Sequence, residues 1–340
     1  MIAVTGGSGF IGSNFVRDWV NTRREAVVVL DKLTYAGNQS SLNNISNYHF
    51  VQGDINDSEL LRHLLTTYRP RAIIHFAAES HVDRSIHSPS RFIQTNINGT
   101  FSLLEVSRQY WSQLNAAERS TFRFLQISTD EVYGSLLAAD PPFNESSRYA
   151  PNNPYSASKA AADHLVRAYH HTYGFPTLIT NCSNNYGPYQ FPEKLIPLTI
   201  ANALENKPIS IYGDGLQIRD WLYVADHCAA LGTVLANGRV GETYNIGAHN
   251  EITNLALITH ICQMLDELKP NVRQESYTKL MTHVKDRPGH DRRYAIDATK
   301  IMRELGWKPR EDFMSGLKKT IAWYLNNTDW IVRMREAETV

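Results

Sequence analysis

Nowhere does the chain run apolar for the ~20 residues that a membrane-spanning helix needs. It carries no excess charge of either sign either, since Lys+Arg and Asp+Glu are each 34. A nucleic-acid or anionic-membrane partner usually demands a basic excess, so neither is expected. Cysteine is scarce. Cys182, Cys228 and Cys262 are odd in number, far apart and without a C-x-x-C. That argues against a disulfide framework or a zinc site and suits a reducing compartment. Repeats and low-complexity tracts are lacking. The opening Met1-Ile2-Ala3-Val4-Thr5 has no basic segment ahead of a long apolar one, and reads as a first strand rather than a targeting peptide. The expectation is a cytoplasmic enzyme with no metal. At 340 residues, a large domain with a smaller appendage is the size expected.

What is present is a rhythm of strands and helices. Ile2–Val4, Ala26–Leu30, His49–Gln52, Ala72–Phe76, Phe122–Ile127 and Thr177–Asn181 are short apolar runs of the kind buried in parallel sheets. Between them lie helix-compatible segments at Ile11–Thr22, Ser58–Tyr68, roughly Ser90–Gln113 and Pro154–Tyr173. This alternation predicts βαβ units and an α/β fold, a doubly wound parallel sheet of Rossmann type. From about Asn185 the rhythm changes. Strands are expected at Ile209–Tyr212 and Thr243–Ile246. Helices are expected at Pro192–Glu205, Ala225–Ala236, Asn254–Leu268 (N-capped by Thr253) and Ala298–Leu305. We therefore expect a dinucleotide-binding domain over 1–184 and a smaller substrate domain over 185–330, with some interleaving, and fraying after about Asn327.

Directly after the first strand comes Gly6-Gly7-Ser8-Gly9-Phe10-Ile11-Gly12. Gly6, Gly9 and Gly12 have the spacing that lets a strand turn sharply into a helix whose N-terminus faces a pyrophosphate. A lone glycine pattern is weak, but this one follows a strand and opens a helix, as such a loop requires. Asp31 ends the second strand 19 residues past Gly12, where a carboxylate would hold the adenosine ribose and repel a 2′-phosphate. That favours NAD over NADP, although the adjacent Lys32 could soften the preference. Asp54 is a candidate for the adenine amino group, and small Ala77 and Ala78 would let the backbone approach the cofactor. Each of these, taken alone, is equally a cap or a packing contact.

Tyr155 and Lys159 read Y-x-x-x-K, the one such pair in the chain. With 17 tyrosines and 11 lysines in 340 residues, chance supplies ~0.5 such pairs, so the motif counts only in context. On a helix the two share a face, and an ammonium beside a phenol favours the phenolate, giving a base near neutrality. Strand Phe122–Ile127 runs into Ser128-Thr129-Asp130-Glu131, at the strand end where ligands of doubly wound sheets bind. Two adjacent carboxylates there suit one acid and one base; the bland alternative is a helix N-terminus stabilised by acids.

With these come Asp31-Lys32-Leu33-Thr34-Tyr35-Ala36, Ala77-Ala78-Glu79-Ser80-His81-Val82-Asp83-Arg84-Ser85, Ser128-Thr129-Asp130-Glu131-Val132-Tyr133-Gly134, Asn181-Cys182-Ser183-Asn184-Asn185-Tyr186-Gly187-Pro188, Gln217-Ile218-Arg219-Asp220-Trp221 and Asp286-Arg287-Pro288-Gly289-His290-Asp291. On these motifs the chain resembles the extended short-chain dehydrogenase/reductase (NAD-dependent epimerase/dehydratase) superfamily, and within it the dTDP-glucose 4,6-dehydratases, over nearly its whole length. The resemblance implies a lyase that uses tightly bound NAD on a nucleotide-sugar substrate, dTDP-glucose, in deoxysugar biosynthesis. It also implies a homodimer built on the Ser90–Gln113 and Pro154–Tyr173 helices. Tyr155, supported by Thr129 and Lys159, would oxidise the sugar at C4, with Asp130 the acid and Glu131 the base of dehydration. The implied cofactor wall is Gly6, Gly9, Phe10, Ile11, Gly12, Asp31, Lys32, Leu33, Thr34, Asp54, Ile55, Phe76, Ala77, Ala78, Ser80, Thr95, Ser128, Tyr155, Lys159 and Asn185. The implied substrate wall is Ser80, Thr129, Asn184, Lys194, Leu195, Ser210, Ile211, Tyr212, Arg219, Asn254 and the 286–290 stretch with Asp286, Arg287 and His290. Without the resemblance, Arg219 and His290 would read as solvated surface. Another nucleotide-hexose 4,6-dehydratase, a 4-epimerase, a decarboxylase and, in a different class, a non-catalytic NAD-binding regulator remain as alternatives. Asp130 is the residue that separates water loss from the epimerase and decarboxylase readings. The base of the nucleotide rests on the resemblance alone.

Overall fold

The computed structural model describes residues 1–287 and 289–338, with side chains through Met334. Pro288, inside the 286–290 stretch expected at the substrate, lies outside the described residues. Six strands alternate with helices in the first half of the chain: β1 (Ile2–Thr5), β2 (Val27–Asp31), β3 (Tyr48–Gln52), β4 (Ala72–His75), β5 (Arg123–Thr129) and β6 (Thr177–Cys182). Downstream come β7 (Asn184–Tyr186), β8 (Ile209–Tyr212), β9 (Ile218–Tyr223), β10 (Thr243–Ile246), β11 (Glu251–Thr253) and β12 (Met281–Val284). The large sheet has the order β10-β6-β5-β4-β1-β2-β3, and every pairing in it is parallel. β1 to β3 step to one side and β4 to β6 to the other. The order therefore reverses between β1 and β4, where doubly wound sheets open a crevice beyond their strand ends.

The sheet is buried on both faces, which explains its continuous apolar strands. Along β1 and β2, Ile2, Val4, Val27 and Val29 join one core with Phe15, Trp19, Leu231 and Val234. The alternate residues Ala3, Val28 and Leu30 join the other, with Leu61, Leu64, Leu103 and Val166. Each side chain of this size, fully buried, contributes ~1.5–3 kcal/mol. Two small sheets, β11-β9-β7 and β12-β8, pack with helices Leu195–Leu204, Asn254–Leu268 and Phe313–Asn326 around a second core. The chain does not stay in that second layer once it has entered it. Helix Val224–Asn237 packs on the first core, and β10 closes the edge of the large sheet beside β6.

Several segments depart from the sequence expectation or go unannounced by it, helix Phe313–Asn326 and strands β7, β11 and β12 among them; three bear on the site or its cores. The helix expected over Ser90–Gln113 is broken by a π-helical stretch at Ile93–Gly99, with α-helix on either side at Pro89–Phe92 and Thr100–Gln113. A wider turn of this kind leaves the apolar periodicity almost intact, so the pattern does not reveal it. The tail does not fray after Asn327. It forms the helix Thr328–Glu338 and buries Trp330, Ile331 and Met334 in the second core. β9, which carries Arg219, has no run of alternating apolar residues to announce it, because three of its four buried positions are Arg219, Asp220 and Trp221.

Candidate active site

The first strand hands the chain to the glycine loop at the crevice. Gly6 has φ +69°, and a Cβ there would lie 2.6 Å from the Ala77 nitrogen; one on Gly12 would lie 2.3 Å from the Gly6 carbonyl. Any larger residue would push the loop away from the sheet. The helix Phe10–Arg23 starts at Gly9 with no side chain capping it, so its first N–H groups face the cleft, as a pyrophosphate site requires. Asp31 is 7 % exposed and accepts from the Ser8 nitrogen at 2.8 Å and the Leu33 nitrogen at 2.9 Å. Lys32 is paired with Asp54 at 2.7 Å. Burial pushes the Asp54 carboxyl up, but Lys32 and Asn56 more than offset this and hold it below its usual range.

A cleft of about 320 Å³ runs from this loop to the ends of β5 and β6. Every residue expected at the cofactor lines it except Leu33. Leu33 is in the left-handed region, φ 56°, and its N–H serves instead to fix the Asp31 carboxylate. Thr95, in the π-helical stretch, does reach the cleft. The neighbouring Asn96 is buried and bonds Glu79 through both its amide groups and Ser158 Oγ at 2.8 Å. The widened turn thereby ties the β4 loop to the helix that carries Tyr155.

That helix, Pro154–Tyr173, begins with a capping box: Asn153 Oδ1 accepts from the Ser156 nitrogen at 2.9 Å, and Ser156 Oγ accepts from the Asn153 nitrogen. The cap and Pro154 set the first turn, and so set where Tyr155 stands. Thr129 ends β5; its hydroxyl accepts from the Glu131 nitrogen at 3.2 Å and donates to Asp130 Oδ1 at 3.4 Å, and it favours the ionised form of the Tyr155 phenol. Asp130 is 2 % exposed, and its Oδ2 has no hydrogen-bond partner. Burial pushes the Asp130 carboxyl well above its ordinary range, and Glu131 and Asp220 add to this against Arg219 and Thr129. Burial also raises Glu131, but Arg219 and Lys194 pull it back. Both carboxyls are raised and both see Arg219, but carboxylates outweigh it at Asp130, whereas Arg219 and Lys194 outweigh Asp291 at Glu131.

Tyr155 and Lys159 share a face, but the ammonium does not stop at the phenol. Lys159 Nζ donates to the Ile127 carbonyl at 2.7 Å. The Tyr155 phenol is pushed well up by burial, then by Glu131 and Cys182, with Thr129 opposing. The longer lysine side chain reaches past the ring, a distinction that spacing along a helix does not make.

A second cavity of about 520 Å³ shares Ser80, Glu131, Asn184, Asn185, Gln190, Glu193 and Lys194 with the first. Leu195, Ser210, Tyr212, Arg219, Asn254, Arg287 and His290 line it as expected. Ile211 does not. Side chains alternate along β8, so Ser210 and Tyr212 face the cavity while Ile211 enters the second core. Asp286 does not line it either; it sits behind His290, with its Oδ1 2.6 Å from Nδ1, and also accepts from Gln217. Thr129 falls on the wall of the first cavity only.

Arg219 is no surface residue. It is 8 % exposed, donates to the Ile218 and Asp291 carbonyls, and lies 4.2 Å over the Tyr294 ring. Arg287 pairs with Asp83 at 3.0 Å and covers the Tyr212 ring. Cys182, Glu193, Asn153, Asp291 and Tyr294 also line the cavities and were not anticipated. Asn153 alone had a sequence signal, as an N-cap three residues ahead of Ser156. The arrangement brings a phenol, an acid and a base to one end of a dinucleotide cleft, and guanidinium groups to the adjoining cavity.

The profile of the GDP-mannose 4,6 dehydratase family matches residues 3–320. A dTDP-glucose 4,6-dehydratase of Salmonella typhimurium is 58% identical over 341 residues, covering 97% of this chain and 94% of that protein. Another, from Neisseria gonorrhoeae, is 59% identical over 331 residues and covers 96% of each. The crystal structure of a dTDP-glucose 4,6-dehydratase from Streptomyces venezuelae with NAD bound superposes with a TM-score of 0.88 at 44% identity, covering 98% of this chain and 99% of that one. A UDP-glucose 4-epimerase of Thermotoga maritima superposes with a TM-score of 0.85 at 28% identity, covering 96% and 99%.

Proposed function

The chain belongs to the GDP-mannose 4,6 dehydratase family, and on that footing we propose that it removes water from dTDP-glucose to give dTDP-4-keto-6-deoxyglucose, with NAD as its cofactor. It is an NAD-dependent lyase. The observation that carries this is Asp130, buried at the cleft with an unpartnered carboxyl oxygen, beside Glu131 and Tyr155. The choice of dTDP-glucose is supported by relatives of that activity at 58–59% identity.

The glycine loop, the uncapped helix and Asp31 would hold the cofactor. Bound there, NAD⁺ would supply an acceptor for the hydride lost from C4 and, once reduced, a donor of hydride to C6. Tyr155 takes the proton of the C4 hydroxyl as that carbon is oxidised, with Thr129 favouring the phenolate. The 4-ketone acidifies the C5 hydrogen, which Glu131 removes while Asp130 gives its proton to the departing C6 hydroxyl. Water leaves, Glu131 returns its proton to C5, and exchange through solvent passes the proton gained by Tyr155 back to Asp130, which closes the cycle. Surroundings that keep Asp130 protonated suit it to the acid role, and cations facing Glu131 suit it to the base role. Arg219, Arg287 and Lys194 supply positive charge for the diphosphate. We assign cofactor binding to 1–184 and sugar-nucleotide binding to 185–330, with β10 returning to the large sheet.

Two finer assignments belong with this reading. The enzyme works as a homodimer, with support from Ile93 and Phe101 left half-exposed on neighbouring turns. It resides in the cytoplasm, with support from three buried, unpaired cysteines; among the described residues no helix is long and apolar enough to cross a membrane.

Asp130→Asn combined with Glu131→Gln is expected to keep C4 oxidation and lower keto-deoxy sugar release by about 10²–10⁴-fold, the usual worth of positioned acid–base groups. Mass spectrometry of the product, scored for loss of one water, reads this. Near-native release would remove the pair from its role, and a mass-neutral product from the parent enzyme would mean epimerisation. Tyr155→Phe should abolish the first oxidation.

A further inference from the structure

Among the buried carboxylates that the reading above leaves unused, Asp163 is the one in line with its tyrosine and lysine. Asp163 follows Lys159 by four residues, as Lys159 follows Tyr155, so the three lie along one face of the helix Pro154–Tyr173. Asp163 has no exposed surface, and it lines neither cavity. Its Oδ2 accepts from Ser128 Oγ at 2.6 Å and from the Tyr149 hydroxyl at 3.3 Å. Ser128 stands next to Thr129 on β5 and lines the cofactor cleft. Tyr149 in turn accepts from Asn181 Nδ2 at 3.0 Å, and that amide also reaches the Tyr133 hydroxyl, which donates to Asn245 Oδ1. The carboxylate is therefore the meeting point of β5, β6, β10 and the helix that carries the tyrosine.

Lys159 is 4 % exposed, and a buried ammonium without a counter-charge tends to give up its proton. Burial does pull its proton affinity down, and Asp163 is the strongest charge acting the other way, ahead of Cys182. Burial pushes the Asp163 carboxyl up to about 6, against Lys159 and the hydrogen bonds of Ser128 and Tyr149. Asp163 and Lys159 thus favour each other's charged form across one turn of the helix, while Ser128 and Tyr149 hydrogen-bond the carboxylate and the Ile127 carbonyl holds the ammonium.

We propose that Asp163 is a positioning residue for the oxidation step. It holds Lys159 as an ammonium and Ser128 beside it, so that Tyr155, Lys159 and Asp163 act as one line. The proposal rests on Tyr155 and Lys159 being the oxidising pair. Asp163 works ionised, so its contribution is present above about pH 6 and is lost as the pH falls through that value. Lys159 works protonated, so its contribution is lost as the pH rises through its lowered value. The other ionisable groups around the pair are His75 on β4, pushed down to about 3 by burial and Lys159, Cys182 on β6 and the Tyr149 and Tyr133 phenols, all pushed up by burial. The His164 ring lies 5.4 Å from Tyr149, and Glu145 acts on Tyr133.

Asp163→Asn keeps the shape and an acceptor for Ser128 and Tyr149 while removing the charge. We expect kcat near neutral pH to fall about tenfold or more with KM for dTDP-glucose within about twofold. The alkaline limb of the kcat profile should move about one unit to lower pH, and the acid limb near pH 6 should disappear. A profile parallel to the parent's, or a loss confined to KM, overturns the proposal. Should that variant not accumulate folded, Tyr149→Phe reads the same linkage. Removing one donor raises the carboxyl, so the acid limb moves to higher pH, and an unmoved limb overturns the proposal. Tyr155→Phe separates the two readings. If it turns over normally, the oxidising pair is wrong; if it is inactive while the Asp163 profiles stay parallel, only Asp163's role fails.

Discussion

On the proposed reading, Asp31 is where one side chain would set the choice of cofactor. Its carboxylate is pinned by two backbone N–H groups, so it would meet a ribose in one orientation. The neighbouring Lys32, which by sequence alone reads as a partner for a 2′-phosphate, is engaged by Asp54. Charge-assisted hydrogen bonds contribute ~1.5–3 kcal/mol each. Asp31→Ala is therefore expected to weaken NAD binding by roughly 10–100-fold, measured by titration calorimetry on protein stripped of cofactor. Unchanged affinity would show that the ribose is held elsewhere. Burial raises the Asp31 carboxyl against the Ser8 and Leu33 N–H groups, so the ionised form is lost as the pH falls through that raised value. NAD retention should weaken on acidification sooner than an ordinary carboxylate would allow. At this scale the sequence placed Gly6, Asp31 and Asp130 at the cleft they line, because strand ends and the glycine turn fix where they stand. It misjudged side chains whose direction depends on a pleat or a neighbour. Ile211 turns inward because β8 alternates, and Arg219 is buried because Tyr294 and the Asp291 carbonyl receive it.

Among the elements, the last helix matters more than its position suggests. Thr328–Glu338 places Trp330 against Tyr189 and Trp323, with ring centroids 6.0 and 5.3 Å away. Met334 Sδ accepts from Asn38 Nδ2 at 3.4 Å, next to the loop that follows Asp31. Trp330→Ala should destabilise the protein by ~3–5 kcal/mol, the usual cost of emptying a buried aromatic site. A urea titration followed by circular dichroism measures it. A change under about 1 kcal/mol, as surface substitutions give, would mean that the helix is not docked. Its sequence reads as tail because Asp329, Arg333 and Arg335 interrupt the apolar positions, and only the surface it packs on makes Trp330, Ile331 and Met334 a core face. The π-helical stretch at Ile93–Gly99 is hidden for a related reason. One extra residue in a turn shifts the face presented to Glu79 and Ser158 without changing the composition of the segment.

Taken as a whole molecule, the two cavities are one site divided by a shared wall of Ser80, Glu131, Asn184, Asn185, Gln190, Glu193 and Lys194, and two cores hold its two sides. If a second copy covers the face bearing Ile93, 45% exposed, and Phe101, 49% exposed, Phe101→Glu should convert a dimer into a monomer, because a buried unpaired carboxylate is costly. Light scattering at micromolar concentration checks this, and an unchanged mass would clear that face of the interface. The sequence by itself determined the doubly wound sheet, the dinucleotide loop, the Tyr155–Lys159 pair and the Asp130–Glu131 pair. These depend on local periodicity and on residue types that no substitute can replace. Tertiary structure alone decided that Asp130 and Glu131 differ in their surroundings, that Lys159 reaches Ile127 and answers to Asp163, and that β10 returns to the large sheet. Those outcomes arise from burial and from charges brought together across distances in sequence that no local pattern encodes.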